Sequence, residues 1–213
     1  MFKKERKIKR MSNDYLKYFK PPVLIGLVAA LTTGLLAIKV HWGITLSIIG
    51  VITTVLSVVA TNCWKSRLFN WMFWVDDISG TYEGILRYQV VLDGKVKNGE
   101  LKHIKVINQN GYRISVSSFT YKTDGTPSSP SENIGMYIKK TTDDKHFELL
   151  FSYKNDGSRE QNFPPHYGTD FLKVINTNGQ KSITGRYYTE REPQTKGNYI
   201  EMNWVSDNQE HKF

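Results

Sequence analysis

One short segment near the carboxyl end carries residue types that could bind a nucleotide. Residues 184–197 read Thr-Gly-Arg-Tyr-Tyr-Thr-Glu-Arg-Glu-Pro-Gln-Thr-Lys-Gly. Tyrosine rings can stack on nucleobases, and arginine or lysine can form charge-assisted hydrogen bonds with phosphate. The same pattern is compatible with an ordinary amphipathic strand whose charges are solvated. The choice between these two interpretations depends on where the side chains point.

Strand alternation predicts the direction of these side chains, because successive residues of a strand face opposite sides of a sheet. If Ile183 points inward, Arg191 also points inward and Arg186 points outward. A buried arginine is unfavourable without an anionic partner, so the orientation of these two arginines is decisive. On the first predicted strand, tyrosines share a face with Leu86. The candidate ligand-binding residues are Tyr82, Tyr88, Tyr187, Thr189, Arg191, Thr195 and Lys196, the last two at the rim.

Signatures of catalysis and of metal binding are missing from the sequence. The five histidines show no ligand spacing, and a single cysteine excludes thiolate zinc sites. There is no G-x-S-x-G elbow, no G-x-G-x-x-G and no Walker loop. We therefore expect a protein that is not an enzyme and that has no metal site and no cofactor.

Residues 78–213 must supply the elements that position the candidate site, and they have the pattern of strands throughout. Short turn signals such as Asp93–Gly94, Asn110–Gly111 and Asn178–Gly179 separate period-two segments. Residues 122–132 and 155–167, rich in Pro, Ser and Gly, are expected to be loops. The predicted strands are 80–92, 99–108, 112–121, 133–141, 146–153, 168–176, 181–190 and 198–205. This pattern predicts an all-β domain, an eight-stranded antiparallel up-and-down (lipocalin-like) barrel, with a β-sandwich as the alternative.

Two uncharged apolar stretches, residues 21–38 and 40–60, precede this domain. About 17–25 residues cross a bilayer, and the second stretch reaches that length if residues 61–63 are added. Because the corner between them, residues 39–42, is short and overlaps the start of the second stretch, we predict a two-helix transmembrane hairpin whose ends emerge on the same side. Gly26, Ala30 and Gly34 form a smooth face on the first helix, where helices can pack closely within the hairpin or between molecules.

The distribution of charge predicts the side of the membrane. The first 67 residues contain eleven Lys/Arg and two Asp/Glu, whereas residues 71–213 contain eighteen of each. The positive-inside bias places both termini in the cytoplasm, and the lone Cys63 agrees with a reducing compartment. A basic tail for DNA or RNA is the alternative, but the charge adjoins apolar spans rather than a soluble surface. We therefore expect a lipid bilayer and no nucleic acid as a partner.

The predicted domain organisation has four parts. Residues 1–20 form a basic cytoplasmic amino terminus, and residues 21–63 form the two transmembrane helices. Residues 64–77 form an interfacial linker in which Trp64, Trp71 and Trp74 act as anchors at the membrane surface. Residues 78–213 form the ligand-binding barrel.

Three features together resemble a known family. They are the two spans with almost no external loop, the Ile-Ser-Gly-Thr-Tyr-Glu-Gly opening at residues 78–84, and Gly-Arg-Tyr-Tyr-Thr-Glu-Arg-x-Pro-x-Thr-Lys-Gly at residues 185–197. In these features the chain resembles the two-transmembrane, β-strand-rich effectors of cyclic-oligonucleotide-based antiphage signalling systems (CBASS). The resemblance covers nearly the whole chain in architecture.

This resemblance implies a multi-pass protein of the bacterial inner membrane with a cytoplasmic eight-stranded barrel. The implied ligand is a cyclic dinucleotide that a cognate nucleotidyltransferase makes during phage infection. Binding would promote homo-oligomerisation, after which the spans disrupt the inner membrane and kill the infected cell. Binding residues carry over from the resemblance only within the matched Arg-Tyr-Tyr-Thr stretch at residues 186–189, and strand parity guides the choice there, which is Tyr187 and Thr189.

The residues by themselves leave two other functions open. A membrane-tethered lipocalin-like carrier of a small hydrophobic ligand would have a wide apolar cavity with no inward cation. A passive membrane scaffold that recruits a protein partner would have a barrel filled by side chains.

Overall fold

The computed structural model describes residues 16–42, 47–159 and 163–213 of the chain. The chain divides into two compact units. The first comprises Met1–Asp77 and Asn110–Arg113, and the second comprises Ile78–Gln109 and Ile114–Phe213. The predicted basic amino terminus lies largely outside the described residues.

The second unit is a closed β-barrel in which each strand pairs with the next along the chain and the last pairs with the first. All of these pairings are antiparallel. The predicted eight-stranded antiparallel up-and-down barrel is therefore confirmed, and the β-sandwich alternative is wrong. The strands are β1 Gly80–Leu92, β2 Lys95–Gln109, β3 Ile114–Tyr121, β4 Pro127–Lys140, β5 Phe147–Asn155, β6 His166–Thr177, β7 Gln180–Thr189 and β8 Thr195–Ser206.

Two hairpins have the turn chemistry that their sequences predict. Asp93 and Gly94 have φ angles of 52° and 73°, and Asn178 and Gly179 have φ angles of 53° and 83°. Left-handed φ at both central residues matches the right-handed twist of the flanking strands. The β2–β3 turn differs, because Gly111 does not take a positive φ. There the Asn110 side chain closes the turn by accepting hydrogen bonds from the backbone N–H groups of residues 112 and 113.

Strand β4 begins at Pro127, inside the segment predicted as a loop. Proline cannot donate a hydrogen bond to a ladder, which is why the Pro-rich sequence resembles a loop. The carbonyl of Pro130 still accepts a hydrogen bond from the N–H of Asp156, with an N···O distance of 3.1 Å. The longer strand turns Ser129 and Ser131 toward the barrel interior.

A bulge near the middle of β8 changes which of its side chains face inward. Alternation predicts that Ile200, Met202 and Trp204 share a face, but the pairing register shifts between Glu83 and Ile85 of β1. Glu201 takes a φ of 52°, as a bulged residue can. Met202 keeps the inward direction, Ile200 loses it, and Tyr199 replaces Ile200 in the interior.

The carboxyl-terminal residues cover part of the outer face of the barrel. Ile104, Val106 and Phe119 form a buried cluster there. The ring centroid of Phe119 lies 4.5 Å from that of His211 and 5.3 Å from that of Phe213. This cover buries outward residues of β2, so both faces of that strand are buried at this point.

The first unit contains two apolar helices, α1 Pro21–Trp42 and α2 Ile48–Val58, and α2 continues as a π-helical turn over Val59–Cys63. Residues 39–42, predicted as a corner, belong to α1. Only the segment Pro21–Lys39, with a mean hydropathy of 2.0, is long and apolar enough to cross a membrane among the described residues, and Ile48–Cys63 is shorter. The second transmembrane helix is therefore not established by the fold.

The predicted packing face on α1 is exposed. Gly26, Ala30 and Gly34 are all exposed. Apart from the neighbouring residues and backbone of α1 itself, no heavy atom of the described residues lies within 4 Å of a Cβ built at either glycine. Packing of this face within the hairpin is therefore not seen in the described residues.

Candidate functional site

A cavity of about 220 Å³ lies inside one end of the barrel. It is at the end where β1, β3, β5 and β7 finish, opposite to the end at which Ile78 enters the barrel. Grooves of about 770 Å³ and 680 Å³ are larger, but outward side chains line them. The residues that line the cavity are Leu86, Tyr88, Leu101, His103, Thr120, Ser128, Ser129, Ser131, Tyr153, Asn155, Phe163, His166, Asp170, Tyr187, Thr189, Arg191, Thr195 and Tyr199.

Arg191 reaches the cavity from the turn that follows β7. Its Nη2 and Nε donate hydrogen bonds to Oγ1 of Thr195, at 2.6 Å and 3.1 Å. The guanidinium carbon lies 4.8 Å from the ring centroid of Phe163. Among the described residues, no carboxylate forms an ion pair with Arg191. The side chain therefore points toward the interior, although Arg191 lies beyond the end of β7, where strand parity no longer determines direction.

Thr189 and Thr195 hold the turn that carries Arg191. The Thr189 hydroxyl donates to the carbonyl of Thr195 and accepts from the N–H of Thr195, at 3.1 Å and 2.9 Å. Both residues are buried. Their side chains line the cavity, and they also fix the position of the guanidinium.

Tyrosines form much of the cavity wall. Tyr88 and Tyr187, two of the predicted residues, both line it, and Tyr153 joins them from β5. Burial raises the pKa of the Tyr187 and Tyr153 hydroxyls, so both are neutral at ordinary pH. Tyr82 also points inward but lies at the closed end of the barrel, where its hydroxyl donates to the carbonyl of Ile78 at 2.7 Å. Tyr82 therefore does not line the cavity, unlike Tyr88 and Tyr187.

Lys196 and Arg186 face away from the cavity. Lys196 is exposed and lines an outer groove, because alternation turns it outward when Thr195 points inward. The guanidinium carbon of Arg186 lies 5.2 Å from the ring centroid of Phe171 on the outer wall. Arg191 is thus the arginine of this segment that reaches the interior. Lys196, next to Thr195 at the start of β8, lies at the open end of the barrel, but its side chain faces the outer groove.

A buried ion pair lies beneath the cavity, and its carboxylate partner Asp170 lines the floor. Nζ of Lys105 lies 2.8 Å from Oδ2 of Asp170, and the two side chains are 0 % and 2 % exposed. Nζ also donates to Oγ of Ser118 at 2.9 Å and lies 4.2 Å from the ring centroid of Tyr199. The Tyr199 hydroxyl donates to the other oxygen of Asp170 at 2.7 Å. Burial lowers the pKa of Lys105, and Asp170 opposes that shift.

His103 lies beside this network and is also buried. Its Nδ1 is 3.1 Å from Oγ1 of Thr120, and its ring centroid is 5.1 Å from that of Tyr199. Burial, and then the charge of Lys105, lowers the pKa of His103 well below its ordinary value, so the ring is neutral. Its Nε2 has no hydrogen-bond partner among the described residues.

The comparison with known families identifies the domain that contains this cavity. Residues 73–204 match the family model described as Cap15, cyclic dinucleotide receptor domain, which covers more than half of the chain. The chain belongs to the Cap15 receptor family. The resemblance to CBASS effectors is thereby confirmed. No curated protein matches the chain. The Cap15 match starts before β1 and ends within β8, so it includes the whole cavity wall and Arg191.

Sequence reasoning missed the floor of the Cap15 cavity. In β2, Ile104 and Val106 are the apolar residues, so alternation predicts that they face inward and that Lys105 faces outward. The structure shows the reverse, because the carboxyl-terminal residues cover the outer face. The inward direction of Asp170 could have been predicted from the sequence, because alternation places it on the same strand face as the apolar residues Leu172 and Val174.

The polar wall contributed by β4 and β5 was also missed. Ser129 and Ser131 lie in the segment predicted as a loop, and Nδ2 of Asn155 donates to Oγ of Ser129 at 2.9 Å.

No group of three or more His, Cys, Asp or Glu side chains that could hold a metal ion occurs in residues 16–42, 47–159 and 163–213.

Proposed function

We propose that this protein is a CBASS effector whose Cap15 barrel binds a cyclic dinucleotide in the interior cavity, and that binding drives oligomerisation and disruption of the inner membrane. The observation that carries the proposal is the inward Arg191 guanidinium among tyrosine rings in a chain of a cyclic dinucleotide receptor family. A cyclic dinucleotide offers two phosphates for cations and two bases for aromatic faces.

The phosphate partner in this proposal is Arg191. Its guanidinium is held by Thr195 and by the Phe163 ring, so little conformational freedom remains to be lost on binding. An arginine–phosphate contact is a charge-assisted hydrogen bond, which is about twice as strong as one between neutral groups. Thr189 and Thr195 then act mainly by fixing the turn, and Tyr88 and Tyr187 contact the bases.

The composition of the cavity wall supports this function over the two alternatives. A carrier of a hydrophobic ligand requires a wide apolar cavity with no inward cation, whereas Ser131, Asn155 and Arg191 place polar groups and a cation in this wall. A passive scaffold requires a filled barrel, and this interior leaves about 220 Å³ open. Because ligand pockets usually measure about 300–1,000 Å³, we expect part of the cyclic dinucleotide to lie above the mouth of the barrel.

We propose that the apolar helices form a two-span hairpin with both termini in the cytoplasm, and that the domain boundaries lie near residues 20, 63 and 77. With 22 residues at about 1.5 Å per residue, α1 is long enough for a hydrocarbon core of about 30 Å. The α2 helix and its π-helical turn extend only about 24 Å. A second crossing there requires either that the bilayer thins locally or that residues flanking the helix complete the span.

In the proposed activation step, a ligand shifts the protein toward an assembled state for which it has the higher affinity. The exposed face of Gly26, Ala30 and Gly34 is suited to packing between molecules, because small residues let helices approach closely. Assembly would then concentrate the spans and disrupt the bilayer.

Labelling of Phe213 from outside intact cells would contradict the proposed topology.

The direct test is calorimetric titration of the detergent-purified full-length chain with a panel of cyclic dinucleotides. We expect at least one member to bind with a stoichiometry of one per barrel and to raise the melting temperature. An absence of both heat and thermal shift with every member would refute ligand binding.

In cells, deletion of residues 21–63 should abolish killing while an added nucleotide still binds the soluble barrel.

A further inference from the structure

Three tyrosines of the cavity wall lie over a glycine of a neighbouring strand. A fourth, Tyr199, pairs with Gly185, but the atoms nearest to that glycine belong to Phe171 and Leu172. Tyr88 lies opposite Gly99 in the β1–β2 ladder. Tyr153 lies opposite Gly168 in the β5–β6 ladder, and Tyr187 lies opposite Gly197 in the β7–β8 ladder. In each case the inward aromatic residue has as its direct cross-strand neighbour a residue without a side chain.

Each ring lies over its glycine. A Cβ added at Gly99 would lie 2.6 Å from Cε1 of Tyr88 and still closer to Cζ and the hydroxyl oxygen. A Cβ at Gly168 would overlap Cζ and the hydroxyl of Tyr153, and a Cβ at Gly197 would lie 2.7 Å from Cε1 of Tyr187. Real Cβ atoms do not approach other heavy atoms so closely, so the rings occupy the space that a side chain would fill.

Backbone conformation does not explain these three glycines. Left-handed φ angles occur at other glycines of the barrel, including Gly94 and Gly179, but not at Gly99, Gly168 or Gly197. Glycine inside a strand weakens it and often marks a place where another group approaches closely. Here that group is the tyrosine ring of the neighbouring strand.

We infer that these three glycines are positioning residues, which let the tyrosine rings lie flat along the barrel wall and so keep the lumen open for a planar nucleobase. The inference rests on the proposed cyclic dinucleotide function. A ring that lies along the wall turns a π-face toward the lumen, which is the surface that stacks on a base. A ring that a Cβ lifts off the wall projects into a cavity of only about 220 Å³.

The sharpest test is Gly99→Ala, because the three heavy atoms nearest to the added Cβ all belong to the flexible Tyr88 side chain. At Gly168 and Gly197 a backbone oxygen is also close, so alanine there would disturb the strands themselves. The matched control is Gly135→Ala in β4, where no heavy atom lies within 4 Å of the added Cβ and φ is not positive.

Calorimetry on the full-length chain in detergent, with the best-binding member of a cyclic dinucleotide panel, measures the effect. We expect Gly99→Ala to weaken binding roughly tenfold or more, the scale of one lost base–aromatic stack. Gly135→Ala should bind as the original protein does. In a Tyr88→Ala background, which removes the clash and restores folding if Gly99→Ala alone impairs it, Gly99→Ala should cause no further loss. An equal loss in both backgrounds would overturn the positioning role.

A second readout needs no ligand. In protein labelled at glycine, the α-protons of Gly99 beneath the Tyr88 ring should resonate upfield, and Tyr88→Leu should abolish that shift. If the original protein binds no cyclic dinucleotide but the upfield shift is present, the proposed function fails and the wall arrangement stands. If the protein binds and Gly99→Ala binds equally well, the function stands and the inference fails.

Discussion

The two ends of the barrel interior differ in chemistry although the same eight strands build both. At the closed end the inward side chains are apolar and almost fully buried, among them Leu149, Val174 and Ile183. At the open end they are mainly tyrosine, serine, threonine and other polar types around a cavity. Burial of apolar surface is the main stabilising term in folding. The comparison therefore separates the half that keeps the barrel folded from the half that is available to a ligand.

The Lys105–Asp170 ion pair lies at the boundary between these halves. Its charges are removed from water but satisfied, since Ser118 and Tyr199 complete the hydrogen bonds. A satisfied buried pair adds little stability compared with apolar packing, but removing one partner leaves an uncompensated charge. The boundary is thus the place where a single substitution should disturb both halves.

The largest expected effect is that of Asp170→Ala. It leaves the Lys105 ammonium buried without its carboxylate, and we expect the free energy of unfolding to fall by about 3–5 kcal/mol. Urea denaturation monitored by tryptophan fluorescence measures this change.

The control for this prediction is the double variant Lys105→Met/Asp170→Leu, which replaces the pair by apolar side chains. It should recover most of the lost stability. A single variant that loses less than about 1 kcal/mol would show that the ion pair is well hydrated and that the boundary between the halves is not dry.

A matched pair of substitutions tests the contrast between the halves themselves. Leu149→Ala in the closed half should lower the free energy of unfolding by about 2–5 kcal/mol, because it leaves a cavity in a packed core. Ser131→Ala in the open half should change that free energy by about 1 kcal/mol or less, because the small side chain borders the open cavity and its removal leaves no void in a packed core. Equal losses at the two positions in denaturation experiments would contradict the division.

Arg191→Ala should show the opposite behaviour, with a small effect on folding and a larger one on binding. We expect the affinity for a cyclic dinucleotide to fall by about 2 kcal/mol, or roughly thirtyfold, because a charged phosphate partner is lost. Calorimetric titration measures the change.

Arg186→Ala is the matched control, since that side chain lies against Phe171 on the outer wall. It should leave the affinity unchanged. The reverse outcome, a loss with Arg186→Ala alone, would move the binding surface from the interior to the outside of the barrel.

The closed half was more predictable from sequence than the open half. Period-two alternation and Asp-Gly or Asn-Gly turns indicated eight strands and their approximate positions, because core strands alternate strongly and hairpin turns need left-handed φ. Alternation also agrees with the inward Tyr187 and Thr189. It gives the wrong face for Lys105, because Ile104 and Val106 pack with Phe119 on the outer face. His211 and Phe213, at the distant carboxyl end, cover the Phe119 ring, and alternation contains no information about such cover.

Two further differences have local causes. The bulge at Glu201 shifts the face of β8 by one residue, so Tyr199 and not Ile200 enters the interior. The predicted β4 strand is too short, because Pro127 and Pro130 resemble loop residues although the barrel accommodates them. Both errors concealed polar or aromatic residues of the cavity, so the candidate site was recovered less completely than the fold.

The smallest expected effect concerns pH and the neutral His103 at the boundary. Burial, with Lys105 adding a second contribution, holds its pKa in the folded state well below the ordinary 6.5. In the window below 6.5 the unfolded chain therefore binds more protons at this position than the folded chain does. The free energy of unfolding should fall as the pH falls from 7 to 5, with a slope of at most about 1.4 kcal/mol per pH unit from this group.

His103→Gln removes this titration while keeping a polar side chain next to Thr120. Urea denaturation at pH 7, 6 and 5 should give a flatter pH dependence for the variant than for the original protein. His166 at the mouth also has a lowered pKa, chiefly from burial, but it is only half-buried and should contribute less. If His166→Gln flattens the dependence more than His103→Gln does, the proton-sensitive group belongs to the open half and not to the boundary.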